Sequence, residues 1–126
     1  MAMMTELEFR AKQLEPQAMA VHRALQKEIE KLCFTEPVPS IDGLDEAECS
    51  LEADPASGDK SLSYEWRDKH GHKVGGLVFH ADGSFFAEYD VIRAHPAKPS
   101  LFVEAVSAWG RDDVIKAEAR CLPMAS

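Results

Sequence analysis

The spacing of apolar side chains changes once along this chain of 126 residues, and that change constrains the fold more than any other feature. Up to residue 34, apolar residues recur every three or four positions, which is the spacing of a helix with one buried face. From residue 47 onward they alternate with polar residues, as in half-buried strands. The connections between the alternating segments are too short for parallel crossovers. We therefore predict an α+β fold in which one N-terminal helix packs on one face of a curved antiparallel sheet, with about five to six strands in meander order.

The helical segment covers residues 5–34 and contains one proline. Its apolar stripe is formed by Leu7, Ala11, Leu14, Ala18, Val21, Leu25, Ile29 and Leu32. Thr5 and Glu8 have the spacing of a capping box at a helix start. Pro16 interrupts the stripe, and a proline costs about 3 kcal/mol in a helix interior. We predict that the helix is broken or kinked near Pro16 and that residues 16–34 form the main packing helix.

Six segments with the alternation of strands follow the helix within what we take to be a single domain, 1–126. They cover residues 47–53, 62–67, 74–80, 84–92, 101–109 and 114–122. The first is an edge strand within the connection that follows the helix, and the other five place the main part of the antiparallel sheet in residues 60–122. Asp82-Gly83 is a strong hairpin signal because both positions tolerate a positive φ. Gly75-Gly76 lies inside a strand and predicts a bulge or a sharp coil.

The charge of the chain is concentrated in the connection between the helix and the sheet. The sequence holds 14 basic and 22 acidic residues, a net charge of −8. All of this excess lies in residues 35–59, an acidic connection with one edge strand, eight acids and no base. It is interpreted as a solvated connection or as a docking surface for a basic protein partner or a cation. A nucleic-acid partner is not expected, because phosphate binding needs a basic face.

Residues with metal-binding or redox chemistry are few and scattered. Cys33, Cys49 and Cys121 form no paired motif, which together with the missing export signal favours a reducing, cytoplasmic location. No apolar run is long enough to span a membrane. His70 and His72 flank a glycine, but the spacing supplies no third or fourth ligand, so we predict neither a metal site nor a cofactor.

Alternation also assigns each strand residue to a face of the sheet. The predicted helix-facing side carries Phe85, Ala87, Tyr89 and Val91, then Leu101, Val103, Ala105 and Trp109, then Ile115, Ala117, Ala119 and Cys121. The opposite side is mostly charged but includes Phe86, Phe102 and Val106, so strand 101–109 has two apolar faces. Such a strand is usually covered on both sides. We predict a homodimer that buries Phe86, Phe102 and Val106. The alternative is that residues 5–14, or the acidic connection, cover this face.

Two functions from different classes are compatible with this pattern. No catalytic motif is present, and Glu88 and Asp90 point away from the aromatic residues by alternation. We therefore favour a small, acidic, non-catalytic binding or adaptor module that acts as a homodimer. The alternative is a small-ligand binder or enzyme with a helix–sheet pocket. The residues that would line that pocket are Tyr64, Trp66, Tyr89 and Trp109.

Overall fold

A computed structural model describes residues 5–34, 47–53, 58–67 and 70–123. The described elements are one helix, α1 (Glu6–Lys31), followed by six strands. The strands are β1 (Ala47–Ala53), β2 (Lys60–Arg67), β3 (Lys73–Phe79), β4 (Ser84–Ala94), β5 (Leu101–Arg111) and β6 (Val114–Pro123). They form one antiparallel sheet in the order β1-β2-β3-β4-β5-β6, so the predicted α+β meander is confirmed.

The helix is continuous through Pro16, so of the predicted break or kink near this residue the break is absent. The expected capping box is present, with Thr5 and Glu8 each accepting from the other's backbone N–H. The buried helix residues all follow Pro16; they are Ala18, Val21, Leu25 and Ile29. Before the proline, Leu7, Ala11 and Leu14 pack partly buried against the same core. Because both halves of the stripe meet one sheet, packing offsets the backbone hydrogen bond that proline removes.

Both ends of the helical segment are fixed to the sheet by side-chain contacts. Lys60 Nζ on β2 lies 2.9 Å from Glu6 Oε2 in the first turn of α1. Beyond the last turn, the Arg93 guanidinium of β4 lies 5.5 Å from the centre of the Phe34 ring. Gln17, near the middle of α1, donates to the backbone carbonyl of Asp112. Between these points α1 packs most extensively against β5 and β6.

We call the side of the sheet that faces α1 the inner face and the other side the outer face. The core lies between α1 and the inner face, and its largest fully buried side chains are Trp66, Phe79, Leu25, Leu62 and Leu77. The strand β1 is at one edge, as predicted, and β6 is at the other. Most of the acidic connection, including residues 35–46 and 54–57, lies outside the described residues.

Three irregularities change the register of the sheet. The first follows Trp66, where β3 has an extra residue, Val74, beside Gly75, and it confirms the bulge predicted at the double glycine. The second lies in β4 between Asp90 and Arg93. The third lies in β5 between Val103 and Ala105 and leaves Glu104 without a cross-strand partner on β6. Because one extra residue reverses alternation, side chains on opposite sides of such a bulge exchange faces.

Candidate interaction surface

Val106 lies in the core, so its predicted place on the outer face is wrong. Its side chain is 0% exposed and belongs to the cluster of buried residues beneath α1. Its cross-strand neighbours are Tyr89 and Ala119, which also pack against that cluster. The cause is the extra residue Glu104, which shifts the alternation of β5 from that point onward.

The same shift moves Trp109 to the outer face, although alternation predicts the inner one. Trp109 pairs with Phe86 on β4 and with Lys116 on β6, and residues directly opposite each other share a face. Trp109 is half-buried, whereas Phe86 is 45% exposed. Val78 on β3 pairs with Phe86 and extends the line to a third strand. We call Val78, Phe86 and Trp109 the apolar row.

The four aromatic residues proposed to line one ligand pocket are not brought together. Tyr64 and Trp66 are buried in the core beneath the helix, and Tyr89 is packed partly buried at its border. Trp109 lies on the other side of the sheet. The Trp66 indole N–H is buried with no hydrogen-bond partner among the described residues. The inner face is therefore occupied by packed side chains at the positions where the pocket was expected.

Phe102 lies on the outer face, as predicted, but at the end of the sheet away from the apolar row. It is half-buried and pairs with Ala94 on β4 and with Leu122 on β6, which is 46% exposed. Residues 5–14 belong to the helical segment and pack on the inner face, so they do not cover this side. The predicted outer residues Phe86 and Phe102 thus lie at opposite ends of one face.

A group of charged side chains separates these two apolar ends. Arg120 Nε lies 2.9 Å from Glu104 Oε2, and its terminal nitrogen lies 3.6 Å from Glu88 Oε2. Because Glu88 is on β4 and Arg120 is on β6, the guanidinium lies across β5 between them. The outer residues of β5 at this point are small and buried, namely Ala105 and Ser107. We call Glu88, Asp90, Glu104 and Arg120 the charged cluster.

The charged cluster has an excess of negative charge, with three carboxylates against one guanidinium. Burial raises the pKa of Glu88, and a hydrogen bond with Asp90 and the negative charge of that neighbour raise the pKa further. Arg120 acts in the opposite direction but does not cancel these effects. A cation placed here would therefore offset the repulsion between the carboxylates of Glu88 and Asp90 in the folded chain.

Between the apolar row and Asp90, the outer face contains an open cleft of about 450 Å³. Its floor is the backbone of Gly75 and Gly76, where no side chain stands above the sheet. Val78 and Phe86 form one wall, and Glu88 lies beside the floor. A Cβ on Gly76 would lie 2.7 Å from the Tyr64 carbonyl oxygen, so close strand contact requires the glycine. The double glycine in the sequence was the one signal for this cleft, although it was interpreted only as a bulge.

The histidines do not form a ligand set. The rings of His70 and His72 are exposed, with their centres 6.3 Å apart. His80 Nδ1 lies 3.2 Å from Ser61 Oγ, and the buried His95 accepts the backbone N–H groups of Ala97 and Lys98 through Nδ1. Across the ranges that the structure describes, no group of three or more His, Cys, Asp or Glu residues could hold a metal ion.

The cysteines are unpaired and occupy different environments. Cys33 is exposed just beyond α1, whereas Cys49 and Cys121 are half-buried on the two edge strands. Burial raises the pKa of Cys49, and a hydrogen bond with Tyr64 opposes part of that change. Burial and the neighbouring thiol also raise the pKa of Tyr64. Neither group is therefore prepared for nucleophilic or acid–base chemistry near neutral pH.

The comparisons with known proteins place the chain in no family. No protein-family model matches it, and searches of the curated proteins and of the solved structures found no match. Within the described residues, α1 is not long and apolar enough to cross a membrane.

Proposed function

We propose that this protein is a non-catalytic binding module that acts as a homodimer through the outer face of its sheet. The observation that carries the proposal is the apolar row, which crosses three strands on a face that no described element covers. The other face of the same strands is sealed by α1. An exposed apolar strip beside polar residues is typical of a protein interaction site.

The dimensions of the outer face are adequate for a stable dimer. The strands β2 to β6 are separated by four interstrand spacings, or about 19 Å, and the longer strands extend over about 33 Å. The face therefore has an area of roughly 600 Å² in projection, before side-chain relief is added. A standard interface buries about 800 Å² on each partner. A second copy that covered most of this face would reach that value.

The test is the mass in solution at micromolar concentration, measured by sedimentation or light scattering. We expect twice the chain mass of 14.0 kDa. Phe86→Asp places a charge in the apolar row and should shift the equilibrium towards the monomer. The control is Phe9→Asp, because Phe9 is 60% exposed on α1, on the opposite side of the sheet from the outer face, and should leave the mass unchanged. A wild-type chain that remains monomeric contradicts the proposal.

We also propose a cytoplasmic location and an interaction of the acidic connection with a basic protein partner. A cytoplasmic location agrees with three cysteines that are free within the described residues. A role of the acidic connection in binding a basic protein partner predicts that partner capture weakens as salt increases. A small-ligand role for the aromatic residues is the less favoured alternative, because Tyr64 and Trp66 already fill the space beneath the helix.

A further inference from the structure

Two further rows of outer residues run beside the apolar row, one on each side of it. Strand residues two positions apart share a face, so each row lies about 7 Å from the apolar row. We call the row on the side of the cleft the glutamate row; its members are Glu65, Gly76, Glu88, Ser107 and Glu118. We call the row next to the β3–β4 and β5–β6 turns the turn row; its members are Ser61, His80, Ser84, Arg111 and Val114.

The two rows have opposite patterns of size and charge. In the glutamate row the three acidic side chains lie on β2, β4 and β6, and the small residues lie on β3 and β5. In the turn row the long side chains are His80, directly after β3, and Arg111 on β5, whereas the residues on β2 and β4 are serines. From β2 to β5, each strand therefore has a long side chain in one row and a small one in the other.

A two-fold axis along the apolar row brings the two patterns together. Under this rotation each strand of one copy lies over the same strand of the second copy, and rows at equal distances from the axis exchange places. The apolar row packs on itself, and the glutamate row of each copy lies on the turn row of the other. An axis parallel to the strands would instead lay the glutamate row over itself, which charge repulsion disfavours. Lys116, beside the apolar row, is exposed on the edge strand β6, where its ammonium group stays in solvent.

We propose that Arg111 of one copy lies over Ser107 of the second copy, between Glu88 and Glu118 of that second copy. The inference rests on the proposed homodimer and identifies which groups meet in it. Ser107 is opposite Glu88 on β4 and Glu118 on β6, so two carboxylates flank the small residue. Packed sheets are rotated by about 30°, which for a rotation centred on Trp109 moves Arg111 sideways by roughly 3.5 Å, less than one strand spacing. Either direction brings the guanidinium closer to a glutamate.

The contacts of Arg111 within its own chain permit this exchange of partners. Its guanidinium lies 3.2 Å from Asp82 Oδ2, and both side chains are largely exposed. An exposed ion pair of this kind contributes at most about 1 kcal/mol, so it does not hold the guanidinium in one place. Beside Glu88, in contrast, a guanidinium offsets the repulsion from Asp90.

The experiment measures the coupling between Arg111 and the two glutamates through the dissociation constant of the dimer in sedimentation. Arg111→Glu should weaken dimerisation about tenfold, because each of the two contacts then joins three carboxylates. The same substitution in a chain that also carries Glu88→Gln and Glu118→Gln should change dimerisation less than twofold. Arg111 and Ser107 are four residues apart on β5, or about 13 Å, so coupling to the glutamates beside Ser107 must act between copies.

Controls separate this inference from the proposed function. Arg23→Glu makes the same charge change on the exposed side of α1 and should leave dimerisation unchanged. Asp82→Asn removes the ion pair of Arg111 within its own chain and should not weaken dimerisation; a loss as large as that of Arg111→Glu would assign the effect to the hairpin and overturn the contact. If wild type is dimeric but Arg111→Glu has the same effect with and without the two glutamates, the contact is wrong and the homodimer stands. If wild type is monomeric, both proposals fail.

Discussion

The bulge in β5 makes a quantitative prediction about Val106. Replacing this fully buried residue with alanine removes two methyl groups, which are worth about 1.6 kcal/mol of burial. A cavity of roughly 40 Å³ adds about 1 kcal/mol. Val106→Ala should therefore lower the free energy of unfolding by about 2–3 kcal/mol. The matched control is Val114→Ala, the same chemical change at a side chain that is 57% exposed, and its cost should be below about 0.5 kcal/mol.

Urea unfolding followed by tryptophan fluorescence measures both values. The protein concentration must be identical in all samples, because association of the folded state contributes to apparent stability. If alternation continued unbroken through β5, Val106 would lie on the outer face and its truncation would resemble that of Val114. Similar losses for the two variants would therefore refute the bulge and the inward orientation of Val106.

Three further perturbations test single groups. Glu88→Gln should raise the free energy of unfolding at pH 7, because the raised pKa of Glu88 means that the folded state disfavours its charged form. This gain in stability should vanish below the ordinary pKa of glutamate, where Glu88 is protonated in both states. A gain that persists at low pH would contradict this reasoning. Cys33 is exposed and should react with a thiol reagent before Cys49, whose pKa is raised by burial. Peptide mapping by mass spectrometry measures the order of labelling, and faster labelling of Cys49 would be inconsistent with this prediction. Ile92 is exposed and has a φ of 52°, a left-handed conformation that is unfavourable for a residue with a Cβ. Ile92→Gly should therefore stabilise the fold by about 1 kcal/mol, measured by thermal unfolding. An unchanged or lower stability would show that the conformation is not strained.

The element order was predictable because it depends on local patterns. The apolar stripe, the capping box at Thr5 and the Asp82-Gly83 turn each act over a few residues, and each appears in the structure as expected. The continuity of α1 was not predictable from Pro16 alone. The proline penalty is local, whereas the packing of Leu7 and Ala11 against the sheet is a tertiary effect.

The interaction surface was only partly predictable because faces depend on register. Phe86 precedes the irregularity in β4 and was assigned to the correct side. Val106 and Trp109 both follow Glu104 and were assigned to the wrong side. No glycine or proline marks that bulge, so the sequence carries no local signal for it. The cleft had one local signal, the double glycine Gly75-Gly76, but its walls come from neighbouring strands that meet only in the folded sheet.

The open sheet leaves two outermost strands, β1 and β6, each with one neighbour among the described elements. Their outward backbone groups are potential templates for stacking into fibrils. On the edge strand β6, the charged side chains of Lys116, Glu118 and Arg120 oppose such stacking. The net negative charge of the chain also makes molecules repel one another at neutral pH. That repulsion disappears near the isoelectric point of about 5.0. In mild acid the two edge strands are therefore no longer protected by electrostatic repulsion between molecules. Resistance to aggregation then depends on the side chains of β1 and β6 themselves.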